Sequence, residues 1–107
     1  MTLAGAVGKE LSMPERRAVV ASKIGLHMRV AAEFARLAGR QQPVKVMVAK
    51  EGRDPVEARR MLDVLKLDVL GGQEVLLSAE GDGADRALDA MVAFVETDHD
   101  AKPSAGG

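Results

Sequence analysis

A chain of 107 residues holds one domain with a modest core and has no room for two. With 47% apolar and 29% charged residues and a formal net charge of -1, it has the composition of a globular protein and lacks the basic excess of a nucleic-acid binder. Two phenylalanines without Trp or Tyr give bases little to stack on, the lack of cysteine excludes disulfides and thiolate chemistry, and no apolar run nears the roughly 18 residues of a membrane span.

Residues 1–13 mix small residues and glycine without periodicity and read as a mobile leader, with Met13 as a second candidate start. The stretch Leu3–Gly8 is short, broken by glycine and soon followed by Glu10, unlike a secretory signal, so a cytoplasmic protein is expected. Arg17–Ala21 is the first strand candidate. Helical spacing then runs over Met28–Gly39, with Ala31, Phe34, Leu37 and Ala38 on one face and Arg29, Glu33, Arg36 and Arg40 on the other. Gly39 suits the helix stop and Pro43 blocks any continuation. Val44–Val48 alternates as a strand, and the turn Glu51-Gly52-Arg53-Asp54 returns through Pro55–Glu57 as a hairpin.

Arg59–Leu67 predicts a short helix, apolar almost all the way round through Met61, Leu62, Val64, Leu65 and Leu67. Gly71-Gly72 breaks the chain before the strand Glu74–Ala79, which places Val75, Leu77 and Ala79 on one side. Gly81-Asp82-Gly83 resembles a phosphate-cradling turn, but its neighbouring acids repel an anion, so it is read as a plain turn into a last helix striped by Ala84, Leu88, Met91 and Val95. From Thr97 the sequence is polar; residues 98–107, His99 among them, are expected to form a solvated, flexible tail. The order β-α-β-β-α-β-α, with a hairpin and helical crossovers, implies an α/β (α+β) fold over residues 14–97. It is a two-layer open-faced sandwich, with an antiparallel-rich sheet and its helices on one face.

The chemistry concentrates in Gly25-Leu26-His27-Met28-Arg29-Val30. Glycine releases a turn and His27 stands at the mouth of the first helix, where first-turn amides and the helix dipole favour an anion. A neutral imidazole is a nucleophile near pH 7, so His27 reads as a candidate phosphoryl acceptor, with the Met28 and Val30 amides and the Arg29 guanidinium around it. A capping or partly buried histidine is the alternative that these residues alone leave open. The second helix cannot bury every side, so Met61, Leu62 or Leu65 should stay exposed near His27 as a docking patch. Two distant histidines and no clustered carboxylates exclude a metal site, no nucleophile pairs with a base, and no cofactor is expected.

Gly25-Leu26-His27-x-Arg29-x-Ala31, followed in register by Val56–Leu67, the Gly72 turn, the last strand and the Gly81–Leu88 helix start, resembles HPr, the histidine-containing phosphocarrier family of the bacterial sugar phosphotransferase system. The resemblance implies a four-stranded sheet covered by three helices. It also implies that His27 takes a phosphoryl group on Nδ1 from phosphoenolpyruvate-charged enzyme I and passes it to IIA components of sugar transporters, with Arg29 helping to hold it. A monomer without membrane insertion is expected. Where that family has proline after the arginine, this chain has Val30, and where it often has a small polar residue before the glycine, this chain has Ile24. The serine that a regulatory kinase modifies in some members is here Arg60, which removes that modification and adds positive charge for an acidic partner. A regulatory binding module, or a carrier for a nitrogen-related or dihydroxyacetone-kinase branch, is the alternative function.

Overall fold

The computed structural model describes residues 14–99; the expected leader over 1–13 and the tail from 100 onward lie outside the described residues. Seven elements follow one another: β1 (Glu15–Val19), α1 (Met28–Arg40), β2 (Lys45–Lys50), β3 (Val56–Glu57), α2 (Met61–Lys66), β4 (Glu74–Glu80) and α3 (Ala84–Val95). The expected order holds, and the strands form one antiparallel sheet in the order β1-β4-β2-β3. β4 lies between β1 and β2 and antiparallel to both, so β1-α1-β2 is a split β-α-β unit with the last strand inserted. Arg17 pairs with Leu76 on one side of β4, and Val48 with Leu77 on the other.

Side chains alternate across a strand, so Val75, Leu77 and Ala79 of β4 turn inward together and are buried. They meet Val46 and Val48 of β2, Phe34 and Ala38 of α1, Val64 of α2, and Leu88, Met91 and Val95 of α3 in one core. Full burial of side chains such as Phe34 or Leu77 stabilises the fold by roughly 1.5–3 kcal/mol each. Arg16 Nη2 donates to Asp85 Oδ1 at 3.1 Å and so links β1 to α3. Because the pair is exposed, it adds about 0–1 kcal/mol.

Most boundaries differ from expectation by one or two residues, and three have a clear cause. β1 is shifted toward the N-terminus, since pairing with β4 reaches Glu15 opposite Ser78. Val20 and Ala21 leave the ladder because their N–H groups go to Gln73 O and Val95 O. α1 runs through Gly39 to Arg40, and the Gln41 and Gln42 N–H groups turn back to the Ala38 and Gly39 carbonyls at 3.1 and 3.3 Å as the cap. α2 begins at Met61, two residues late, because Arg60 is extended and its N–H closes a turn on Glu57 O at 3.1 Å.

The inserted strand decides where the loops go. β1 ends where β4 begins, so the β1-α1 connection and the α2-β4 connection share one end of the sheet. α3 starts at the far end and finishes at this one, its Val95 carbonyl accepting the Ala21 N–H at 3.0 Å. His27 lies at this junction.

Candidate functional site

The loop before α1 is built by interlocking backbones. Leu26 N–H donates to Val69 O at 3.0 Å, Gly72 N–H to Val20 O at 2.8 Å, and Gly25 N–H closes a turn on Ser22 O at 2.9 Å. Gly25 has φ +91, and a Cβ there would sit 2.2 Å from Val69 O; one at Gly71 would sit 2.3 Å from Lys23 O. Both positions therefore need glycine for the loops to touch. With Leu26 buried at 4% exposure, the next residue is delivered to a fixed place.

That residue is His27, the N-cap of α1, with φ -77 and ψ 177 and half-buried. Its carbonyl accepts the Ala31 N–H at 2.7 Å, the first bond of the helix ladder. The amides of Met28, Arg29 and Val30 precede that bond and point out of the helix end. The ring makes no capping hydrogen bond, so it does not compete for them. Met28 is 66% exposed, while the Val30 side chain is fully buried, leaving only its backbone for an anion.

Arg29 Nη2 donates to the His99 carbonyl at 2.8 Å, and Nη1 is 3.8 Å from Glu33 Oε2. The guanidinium is thus gripped from the segment that follows α3. His99 itself overturns the expectation of a solvated tail. It is half-buried, its ring stacks on Phe94 with centroids 3.9 Å apart, and its N–H donates to the buried Ser22 Oγ at 2.8 Å. Sequence reasoning missed Ser22, Phe94 and His99 as a cluster, because Ser22 and His99 are 77 residues apart and no periodicity joins them.

Of the expected docking residues, Arg60 and Leu62 are exposed, Arg60 Nε donating to Asp63 Oδ2 at 3.1 Å. Met61 and Leu65 are half-buried against the core. Ile24 and Leu70, at 63% and 53% exposure, are further apolar residues on the two loops that meet at Gly25. A hydrophobic residue at Leu70, where a turn into Gly71-Gly72 calls for polar chemistry, is the signal that marks it in the sequence. Neither the open groove of about 800 Å³ beside Lys50 and Leu76 nor the one of about 520 Å³ beside Pro43 and Glu57 includes His27. At the second groove Arg59 Nε donates to Glu57 Oε1 at 2.9 Å, and that hydrogen bond holds the Glu57 carboxyl below its ordinary range.

A half-buried histidine at a helix mouth, beside outward-pointing first-turn amides, fits a group that is handed between proteins. The family described as "PTS HPr component phosphorylation site" matches residues 14–97. The chain belongs to the HPr family. The phosphocarrier protein HPr of Streptomyces coelicolor is 41% identical over 83 residues, which cover 78% of this chain and 88% of that one. The phosphocarrier protein NPr of Shewanella violacea is 34% identical over 86 residues, 80% of this chain and 92% of that one. In structure, HPr-C-His of Thermoanaerobacter tengcongensis superposes with a TM-score of 0.76 at 32% identity, covering 85% of this chain and all of that one. The general role of HPr, a phosphocarrier of the phosphotransferase system, follows for this chain. Among the described residues, no helix is long and apolar enough to cross a membrane.

Proposed function

We propose that His27 is the phosphoacceptor of this HPr chain. It takes the phosphoryl group from phosphoenolpyruvate-charged enzyme I and yields it to IIA components of sugar transporters, in the cytoplasm. In each step one phosphorus–nitrogen bond breaks at the donor as another forms at the acceptor ring, so the group moves between bonds of similar energy. Such transfer asks mainly for positioning and charge stabilisation. The observation that carries the reading is the placement of a half-exposed imidazole at the N-cap of α1, ahead of three amides outside the helix ladder. The helix dipole contributes about 0.3–1 kcal/mol toward a dianion there, and the Arg29 guanidinium, two residues on, supplies charge-assisted hydrogen bonds.

Exposed Met28, Ile24 and Leu70 beside the site loop, and exposed Leu62 and Arg60 at the start of α2, support docking of partner proteins. The loss of a phosphorylatable serine at Arg60 argues against kinase control at the start of α2. The Shewanella relative carries the name NPr rather than HPr, and this supports, as a second reading, the same His27 chemistry serving a different acceptor branch. Incubation with enzyme I and phosphoenolpyruvate should add one acid-labile phosphate per chain, lost in His27→Ala. A panel of IIA acceptors then separates the two branches. Label retained by His27→Ala refutes the assignment.

A further inference from the structure

A hydroxyl buried in an apolar setting destabilises the fold unless it is hydrogen-bonded. Ser22 is 1% exposed, and its Oγ donates to Thr97 O at 3.4 Å and accepts the His99 N–H at 2.8 Å. Both bonds come from the few residues after α3. The carbonyl of the same His99 accepts Arg29 Nη2 at 2.8 Å. Its Nε2 lies 2.6 Å from Phe94 O, and since a carbonyl only accepts, that nitrogen carries the proton. The ring also stacks on Phe94 at 3.9 Å and 27°, and Phe94 in turn meets Phe34 of α1 at 5.9 Å. The ring is therefore anchored to the helix layer, while the main chain of His99 reaches to both sides of His27. Upstream it holds the Ser22 turn, whose carbonyl accepts the Gly25 N–H. Downstream it holds the guanidinium two residues past the imidazole.

We infer that His99 is a positioning residue for phosphoryl transfer at His27, its ring fixing a clasp that orders the Ser22 turn and Arg29 together. The inference rests on His27 being the phosphoacceptor. The His99 carbonyl is a neutral acceptor, so the bond to Nη2 orients the guanidinium without cancelling its charge. The Ser22 bonds keep the Gly25 turn, and with it the imidazole, from drifting. Misplacing either by a fraction of an ångström slows transfer, because catalysis here is positional.

The test uses the full chain with His99→Ala, His99→Phe, Arg29→Ala and the His99→Ala/Arg29→Ala double variant. Each is charged by enzyme I and phosphoenolpyruvate, and circular dichroism verifies the fold. His99→Ala is expected to lower the maximal rate of phosphoryl acceptance roughly three- to tenfold, a coupling typical of contacting residues, with the KM for phosphorylated enzyme I unchanged. His99→Phe, which keeps the stack, should recover most of that rate. In the Arg29→Ala background, His99→Ala should cost less than in the wild type, since only the Ser22 grip is then left to lose. A wild-type rate in His99→Ala, or an equal loss with and without Arg29, overturns the inference. Should His99→Ala fail to fold, Ser22→Ala and Arg29→Ala probe the two grips separately, and fully additive losses overturn it equally. Label retained by His27→Ala removes the phosphoacceptor reading itself, whereas label lost there with normal transfer in His99→Ala removes the clasp alone.

Discussion

Replacing Gly25 with alanine tests how the site loop is held. Two costs add at this position. An L-residue in the left-handed region, at φ +91, costs roughly 1–2 kcal/mol. A Cβ 2.2 Å from Val69 O and 2.7 Å from the Leu70 Cα meets backbone that cannot rotate away, and such overpacking costs about 1–3 kcal/mol. The sum, roughly 2–5 kcal/mol, is a large part of the stability of a small domain. Two neighbours separate the terms. At Gly71 the added Cβ would lie 2.3 Å from Lys23 O at an ordinary φ, whereas Gly72 has φ +86 with nothing within 4 Å. Gly71→Ala should therefore lose about 1–3 kcal/mol by overpacking, and Gly72→Ala about 1 kcal/mol or less, since alanine also restricts the unfolded chain. Urea unfolding followed by far-ultraviolet circular dichroism measures all three, as the chain has no Trp or Tyr to report by fluorescence. Phosphoryl acceptance should slow in Gly25→Ala and Gly71→Ala and stay normal in Gly72→Ala. Equal losses at Gly25 and Gly72 would refute the close approach of the two loops.

Asp68 follows α2 with φ 55, so Asp68→Gly should stabilise the domain by roughly 0.5–1 kcal/mol and raise Tm by a few degrees; a fall in Tm contradicts this. Leu62→Glu changes a side chain that is 66% exposed, so it should leave Tm unchanged and slow transfer between partners, and unaltered transfer rules Leu62 out of docking. The lowered pKa of Glu57, due first to its hydrogen bond with Arg59, gives a sign for pH. The contribution of the pair is fully present above the unfolded-state pKa of glutamate and is lost as pH falls through the lowered folded-state value. In Arg59→Ala the Glu57 titration, followed by carboxyl NMR, should move upward; an unmoved titration contradicts the cause.

Much of this arrangement can be read from local pattern. The 3.6-residue spacing of Ala31, Phe34 and Ala38 and the alternation of Val75, Leu77 and Ala79 each record which side faces the core. The site turn was legible for the same reason: Gly25, the N-cap position of His27 and the first-turn amides are consecutive. What escaped depends on distant partners. β1 ends where β4 stops pairing with it, a register no segment of β1 encodes. α2 loses its first turn to the Arg60–Glu57 turn at the end of the hairpin. His99 looks like a polar tail residue until Phe94 and Ser22 are brought to it by the end of α3 and the end of β1. Polar residues reveal burial poorly in sequence, because their hydrogen bonds, unlike apolar stripes, need no repeat.

The measurement closest to the central claim locates the phosphate itself. Chain labelled with ¹⁵N at its histidine rings, charged with phosphoenolpyruvate and enzyme I, should show one acid-labile phosphoryl group on a ring nitrogen of His27, expected at Nδ1, with the His99 ring unmodified. A phosphoryl group on any other residue, or none after full turnover of the donor, contradicts the account.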